Sequence, residues 1–259
     1  MRISTLILLL FSIPALAQTF EQQLDSFYLC LDRQRPDSAE IVLKALLRND
    51  PANPLNPMLL SNLGAVQRQQ GKLDDALVSY TAALGHAPRS VTLLTNRAEL
   101  FTEMDSPENA LTDYTAVLLI DSLHEDARYR RGLLYLRIKN YEAAQQDFER
   151  LLVQNPQSYA ARNGLASLYK LEGRLSEAET LYIYLTDHYP DLPDVYAGRA
   201  ELYILMNRPA KALSDINRAI RLQEANNPPN PYYYGIRSRI KAMQYEKNAA
   251  AEDAAKARY

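Results

Sequence analysis

The most constraining feature of this 259-residue chain is a small residue that recurs at every 34th position. One uninterrupted series consists of Ala76, Ala110, Ala144, Ala178 and Ala212, and slightly longer offsets extend it to Ala39 and Ala250. A second small residue stands twelve positions earlier in six of the seven cases, and a large apolar residue stands four positions later, also in six. A period of this length indicates repeated supersecondary units that bury their apolar faces against one another.

Within each unit the small positions predict two antiparallel helices in close contact. The small residue of the first helix, such as Gly64 or Gly132, is expected to face the alanine of the second helix. The large residue one turn later then fills the wedge above that contact. In four units a proline follows the alanine by twelve positions, where it starts the linker because it lacks an amide hydrogen.

This pattern resembles the tetratricopeptide repeat (TPR) family. The second unit matches the family's pattern nearly throughout, with Leu60, Leu63, Gly64, Gly71, Leu73, Ala76, Tyr80, Ala83 and Pro88. The resemblance implies an all-α fold, a right-handed superhelical solenoid of stacked helix-turn-helix hairpins with no second domain. Seven units are predicted, at residues 20–56, 57–90, 91–124, 125–158, 159–192, 193–230 and 231–259.

Residues 1–17 are predicted to be a secretory signal peptide. Arg2 precedes an apolar run from Ile3 to Leu16, and Ala15-Leu16-Ala17 forms an A-x-A cleavage site. An uncleaved membrane anchor is the alternative, but the run is short for a spanning helix and contains Pro14. We therefore expect cleavage after Ala17, a periplasmic location and no membrane span in the mature chain.

The composition offers little material for catalysis or metal binding. The three histidines, His86, His124 and His188, stand near unit ends as expected linker residues, too far apart to share a metal. Cys30, the only cysteine, is interpreted as a buried apolar residue and lies too far downstream for a lipoprotein. The 29 Lys and Arg balance 31 Asp and Glu, so no basic surface for nucleic acid is expected. We predict a non-enzyme without cofactor or metal.

Charged residues beside the close contact occur in pairs. Arginine precedes the small first-helix residue in four units, and in the same units aspartate stands sixteen positions later: Arg97 with Asp113, Arg131 with Asp147, Arg199 with Asp215, and Arg237 with Asp253. Where Leu63 or Leu165 replaces the arginine, the later residue is not aspartate. We predict four Arg–Asp ion pairs, within or between hairpins, rather than a row of catalytic acids.

The family resemblance further implies that the concave groove lined by first helices binds a peptide or protein segment. The candidate groove residues are Asn62, Arg68, Asn96, Glu99, Tyr129, Arg130, Arg137, Asn163, Lys170 and Glu201. Only Asn96 and Arg130 match the five positions with which some members clamp a terminal carboxylate, which argues against that clamp here.

The sequence thus predicts a non-catalytic scaffold or adaptor of the cell envelope that binds a protein or peptide partner. The alternative is a self-associating structural or assembly factor of the periplasm, acting through the atypical last unit and its alanine-rich end at 248–257. A binding role for the consecutive tyrosines 232–234 is disfavoured because Tyr234 falls on a core position.

Overall fold

The computed structural model describes residues 19–225, 227–244 and 253–257, and α-helix is the only regular secondary structure in them. The predicted signal peptide, Ala250 and most of the alanine-rich end lie outside the described residues. The prediction of an all-α fold of stacked hairpins is confirmed. In chain order the helices are α1 (Phe20–Asp32), α2 (Pro36–Asn49), α3 (Asn56–Gln69), α4 (Leu73–His86), α5 (Val91–Glu103), α6 (Pro107–Ile120), α7 (Glu125–Arg137), α8 (Tyr141–Gln154), α9 (Tyr159–Leu171), α10 (Leu175–His188), α11 (Pro193–Leu205), α12 (Pro209–Glu224) and α13 (Pro231–Met243).

The chain forms two compact units, where the periodicity alone predicts one continuous array. Unit 1 ends at Met104 and contains α1 to α5, whereas unit 2 begins at Asp105 and contains α6 to α13. Inside each unit, consecutive helices pack as hairpins, such as α3 with α4, α7 with α8 and α11 with α12. First helices also touch one another, α3 with α5 in unit 1 and α7, α9, α11 and α13 in sequence in unit 2.

The turn after each of the first six odd-numbered helices contains one residue with positive φ. Gly71 and Gly173 adopt this conformation at φ 74° and 76°, and glycine does so without steric cost. Equivalent turns place non-glycine residues in the same left-handed region, namely Gln34, Asp105, Lys139 and Asn207. The 34-residue period is therefore visible in the backbone conformation as well as in the sequence.

The predicted close contact is present, but its geometry differs from the expectation. The alanines from Ala39 to Ala212 are all fully buried, as predicted. The large residue, however, contacts the first-helix glycine itself, whereas the expectation placed it one turn beyond the contact. A β-carbon on Gly132 would lie 2.6 Å from Cε1 of Phe148, and one on Gly64 would lie 2.8 Å from Tyr80. Glycine is needed at these positions because an aromatic ring occupies the space of its missing side chain.

Two interpretations of single residues need correction. Cys30 is only partly buried, although it packs against the hydrophobic cluster of unit 1 that contains Phe27 and Leu43. His124 is not a solvated linker residue, since its Nδ1 accepts a hydrogen bond of 3.1 Å from the Ala127 amide and caps α7. His86 and His188 are exposed, as predicted.

Candidate functional site

The Arg–Asp pairs are confirmed where both partners lie in unit 2. Arg131 donates from Nε and Nη2 to the two carboxylate oxygens of Asp147 at 2.8 and 2.7 Å, across the α7–α8 hairpin. Arg199 and Asp215 form the same fork at 2.7 and 2.9 Å. Arg237 and Asp253 repeat it at 2.9 and 2.8 Å. The prediction for Arg97 and Asp113 stays a prediction, because these residues belong to different units.

These pairs belong to the packing of the hairpins. Asp147 and Asp215 are buried, and the third nitrogen of Arg131 and of Arg199 also donates a hydrogen bond. Nη1 of Arg131 donates to Thr115 at 3.1 Å, and Nη1 of Arg199 donates to Thr186 at 2.7 Å. Each of the three guanidinium nitrogens therefore donates a hydrogen bond inside the protein, so we interpret these pairs as part of the packing rather than as a binding site.

The second hairpin, which lacks the pair, contains a network that sequence reasoning missed. Ser79 donates to Oε1 of Gln67 at 2.7 Å, and Nε2 of Gln67 donates to buried Glu40 at 3.3 Å. Lys44 and Lys72 each approach Glu40 at 2.7 Å. Hydrogen bonds from these two lysines lower the pKa of Glu40 to about 2. No repeated position signals this network, because it joins α2, α3 and α4 of different hairpins.

The candidate groove residues of unit 1 bind one another. Arg68 on α3 donates to Glu99 at 2.8 Å and to Glu103 at 2.5 Å, both on α5. Hydrogen bonding to Glu103 raises the pKa of Arg68, with burial opposing it. Asn96 donates to Ser61 at 3.4 Å. These bonds fix the relative positions of two first helices, and the single positive charge of Arg68 is shared between two glutamates.

A mostly apolar cavity lies beside the Asn96–Ser61 bond in unit 1. It has a volume of about 360 Å³, and its lining consists of Pro57, Met58, Ala87 and Leu93 together with Ser61, Asn62, Ser90 and Thr92. Asn62 and Asn96 are both half-buried, so their amides border this part of the surface. An amide can donate and accept, which suits it to a peptide backbone.

In unit 2 we define the first-helix face by seven residues on four helices. They are Tyr129, Arg130 and Arg137 on α7, Asn163 and Lys170 on α9, Glu201 on α11, and Tyr232 on α13. On α7, Tyr129 is half-buried with its ring centroid 6.1 Å from that of Phe148. Arg130 is exposed and bonds Asp126 at 2.7 Å, and exposed Arg137 forms an ion pair with Asp105. Asn163 is half-buried on α9. The structure therefore brings Tyr129, Arg130, Arg137 and Asn163 to neighbouring helices of one unit.

Lys170, Glu201 and Tyr232 connect the remaining helices of this face. Lys170 on α9 donates to Oε2 of Glu201 on α11 at 2.6 Å, and the hydroxyl of Tyr232 on α13 donates to Oε1 at 2.8 Å. Burial disfavours the charged form of Glu201, but Lys170 and Tyr232 outweigh it and lower its pKa. The basic character that the sequence assigns to Lys170 is thus neutralised by Glu201.

The tyrosine triplet divides between core and surface. Tyr233 and Tyr234 are buried, as the core assignment of Tyr234 predicts. Tyr232 is 54% exposed and belongs to the first-helix face, so the argument from Tyr234 does not extend to it. The difference arises because successive residues of a helix point about 100° apart.

Two glycines shape the floor of this face and were not among the candidates. Gly164 and Gly198 stand 34 residues apart at the position that Asn62, Asn96 and Arg130 occupy in earlier repeats. A β-carbon at Gly164 would lie 2.5 Å from Phe148, and one at Gly198 would lie 2.7 Å from the Tyr182 hydroxyl oxygen. The period itself was the signal that would have revealed them.

Within the described ranges, no group of three or more His, Cys, Asp or Glu is arranged to hold a metal ion. Among the same residues, no helix is both long and apolar enough to span a membrane.

Comparison with known families agrees with the repeat geometry. Models of the tetratricopeptide repeat match residues 27–91, 95–158, 129–193 and 193–226. The chain belongs to the tetratricopeptide repeat family.

Individual proteins resemble this chain to different degrees in sequence identity and in the share of the chain that they match. A tetratricopeptide repeat protein from Parabacteroides merdae is 42% identical in sequence with a TM-score of 0.84, and the match covers 93% of both chains. Yeast Tom70 shares the fold alone, at 19% identity and a TM-score of 0.68 over 95% of this chain and 54% of that one. DnaJ homolog subfamily C member 3 from Mus musculus is 28% identical over 63% of this chain. The chain spans only 36% of that relative's length.

Proposed function

We propose that this protein is a non-catalytic scaffold that binds a peptide or protein segment along its first helices, in the cell envelope. The observation that carries the proposal is the first-helix face of unit 2. Four neighbouring first helices pack in sequence, and side-chain bonds to Glu201 from Lys170 at 2.6 Å and from Tyr232 at 2.8 Å join three of them, α9, α11 and α13. A surface organised in advance loses little conformational entropy on binding, which favours affinity.

The composition of this face supports a peptide ligand. It combines exposed Arg130, half-buried Asn163 and exposed Tyr232, which together provide donors, acceptors and an aromatic surface. An extended peptide needs such mixed contacts because its backbone both donates and accepts hydrogen bonds. The Arg–Asp pairs are not assigned this role, because both partners are largely buried in the hairpin packing.

Site-specific photo-crosslinking tests the proposal. A photoreactive phenylalanine analogue is placed in the full chain at Arg130 or Asn163, and in a matched control at Gln146, which is exposed on second helix α8. Crosslinking in native cells is expected to trap one defined partner from positions 130 and 163 and none from 146. Equal products from all three positions would contradict a binding role for the first helices.

The alternative of self-association gives a different product in the same experiment. A covalent dimer of this chain, trapped at either first-helix position, would favour a structural or assembly factor. The alanine-rich end proposed for that role is largely outside the described residues, so no contact in the structure favours it.

Export is a separate part of the proposal. The apolar run and the A-x-A motif ending at Ala17 support it. Mass spectrometry of the protein isolated from its native cells is expected to find Gln18 as the first residue. A retained Met1 in the envelope fraction would contradict cleavage.

A further inference from the structure

A cavity of about 540 Å³ lies beside the proline-rich loop that leads into α13. Its lining combines three prolines with one tyrosine and one lysine, namely Pro228, Pro229, Pro231, Tyr234 and Lys256. None of these residues belongs to the first-helix face, and the proposed function does not use them. The cavity is therefore a second concave feature of unit 2, formed by residues outside that face.

The loop that lines the cavity is held by hydrogen bonds. Nε2 of Gln223 donates to the carbonyl oxygen of Pro228 at 3.2 Å, and the hydroxyl of Tyr234 donates to Glu224. Each proline ring also restricts its own backbone φ. This wall is thus formed before a ligand arrives, which lowers the entropic cost of binding.

The lysine of the cavity belongs to the short C-terminal segment that Asp253 fixes to α13. Asp253 is 2% exposed, and its carboxylate accepts from Arg237 at 2.9 and 2.8 Å and forms a salt bridge of 2.8 Å with Lys241. This anchor holds Lys256, whose ammonium nitrogen lies 5.4 Å from the centroid of the Tyr234 ring. The cavity therefore has a cation in a defined place on its wall.

The charges around the cavity favour an anionic ligand. Lys256 is the one charged side chain among the lining residues that the structure describes. Arg237 and Lys241 share the single carboxylate of Asp253, and Glu224 contributes the carboxylate that the tyrosine hydroxyl contacts. Three cations thus stand against two carboxylates, so these described groups have an excess of one positive charge.

The rest of the lining favours an apolar group on the same ligand. Three proline rings and the ring of Tyr234 can bury apolar surface, which is favourable in proportion to its area. A complementary ligand therefore combines one carboxylate with one apolar group.

Exposure of the rim favours the end of a chain over a small molecule. Pro228, Pro229 and Lys256 are exposed, so the cavity is open, whereas small-molecule sites bury most of their ligand. At the C-terminus of a peptide, the carboxylate and the side chain are joined to the same carbon atom. An internal Asp or Glu has no apolar group of comparable size on its own side chain.

We propose that this cavity binds the C-terminal residue of a peptide, with its α-carboxylate at Lys256 and its apolar side chain between the prolines and Tyr234. A lysine ammonium has three donors, so it can bind a ligand carboxylate in addition to its other contacts. The site goes beyond the proposed function, because it lies outside the first-helix face. It also differs from the carboxylate clamp considered above, since it uses none of the five clamp positions.

The test is an NMR titration of the isotopically labelled protein, isolated after expression of the full chain, with four acetylated five-residue peptides. Three have the sequence Gly-Ser-Gly-Ser followed by Leu with a free carboxylate, by Leu amide, or by Gly with a free carboxylate. The fourth is the Leu amide peptide with an internal Glu in place of its second Gly.

We expect the peptide that ends in Leu with a free carboxylate to shift the backbone amides of Tyr234 and Lys256. Its Kd should be about three- to fivefold lower than that of the Leu amide peptide, the effect of one exposed ion pair. Its Kd should be roughly tenfold lower than that of the peptide ending in Gly, because that peptide lacks the apolar side chain.

Variants locate the two contributions. Lys256→Gln is expected to remove the preference for the carboxylate and to keep the preference for Leu, whereas Lys139→Gln, at an exposed position of the α7–α8 turn, should change neither. Pro229→Ala is expected to reduce the preference for Leu severalfold, with exposed Pro190→Ala as its control. A circular dichroism spectrum identical to that of the parent shows that each variant is folded.

Each other outcome contradicts a stated part of the proposal. Equal Kd values for the carboxylate and the amide, or a preference that survives Lys256→Gln, would show that the lysine does not bind the terminus. Binding of the internal Glu peptide as tight as that of the free terminus would indicate an acidic segment instead. Equal binding of N-acetyl-leucine alone would indicate a small carboxylate. If no peptide shifts these amides, the cavity is not a peptide site, and the crosslinking test of the first-helix face is unaffected.

Discussion

Two neighbouring hairpins of unit 2 have a charged pair and an apolar pair, respectively, at equivalent positions of the repeat. In the α7–α8 hairpin, Arg131 forks onto Asp147 at 2.7 and 2.8 Å beside the close contact. In the α9–α10 hairpin the equivalent residues are Leu165 and Leu181, which belong to one hydrophobic cluster. An unmatched buried charge is costly, whereas a matched pair of either kind is tolerated. The comparison indicates that the charged residues at these two positions contribute to packing of the hairpin and do not form a functional site.

Unit 1 offers a third solution at its second hairpin. Leu63 stands where arginine would, and the later position is Ser79, which bonds Gln67 at 2.7 Å. Gln67 in turn reaches Glu40 of the previous hairpin. In this hairpin the buried polar groups find hydrogen-bond partners outside the two repeated positions. Buried polar groups are therefore paired in all three hairpins, whether or not an Arg–Asp pair is present.

The largest expected effect comes from leaving one charge of a pair unmatched. Asp215→Leu removes both acceptors of the Arg199 fork, while the arginine stays largely buried. We expect the free energy of unfolding, measured by urea denaturation, to fall by about 3 kcal/mol. Asp187→Leu, at an exposed position of α10, is the control and should change it by less than about 0.5 kcal/mol. Equal losses in the two variants would show that the fork is not stabilising.

The next effect comes from the aromatic contact. Gly132→Ala places a β-carbon 2.6 Å from the ring of Phe148, which Gly164 confines from its other side. We expect a loss of about 1–3 kcal/mol from overpacking. Gly85→Ala meets no atom within 4 Å in helix α4, so it should gain up to about 1 kcal/mol from helix propensity. Thermal denaturation of both variants checks the sign, and a stabilising Gly132→Ala would refute the contact.

The polar network of unit 1 predicts a pH dependence. The pKa of Glu40 in the folded state is about 2, below its ordinary value of 4.5, so ionised Glu40 stabilises the fold. That contribution is fully present above pH 4.5 and is lost as the pH falls toward 2. Because Lys44 and Lys72 are about half exposed, we expect only about 1–2 kcal/mol at neutral pH.

Glu40→Gln provides the comparison for this pH dependence. The difference in unfolding free energy between parent and variant should shrink between pH 4.5 and 2, as measured by urea denaturation. A difference that stays constant across this range would mean that Glu40 does not titrate as the network implies.

The smallest effects are expected in the hairpin turns. Lys139 has φ 61° and Gly173 has φ 76° at equivalent places of unit 2. Lys139→Gly should stabilise and Gly173→Ala should destabilise, each by about 1 kcal/mol, because a side chain crowds the left-handed conformation. Melting temperatures that move in the same direction for both would contradict the equivalence of the two turns.

Repeated features of this fold follow from the sequence, because 34-residue periodicity places equivalent residues in equivalent contacts. Ala144 and Phe148 are buried as predicted, and the Arg131–Asp147 fork follows from charges that appear together. Features that join neighbouring repeats were missed. The bonds of Lys170 to Glu201 and of Glu40 to Gln67 depend on how far long side chains reach between hairpins, which spacing alone does not specify.

The same limit applies to the candidate site. The sequence placed Arg68, Glu99, Lys170 and Glu201 on the first helices, but it did not indicate that they neutralise one another. The charges that a ligand would meet on the first helices can be identified only when the ion pairs between these helices are known.

The central claim, that matched partners at the close contact are structural, is tested most directly by a double-mutant cycle on Arg199 and Asp215. Unfolding free energies are measured for the parent chain, Arg199→Leu, Asp215→Leu and the double variant, which imitates the Leu165 and Leu181 pair. We expect large losses in both single variants, and a double variant within about 1 kcal/mol of the parent chain, a coupling of more than about 2 kcal/mol. Additive losses, with a double variant less stable than either single one, would contradict the account.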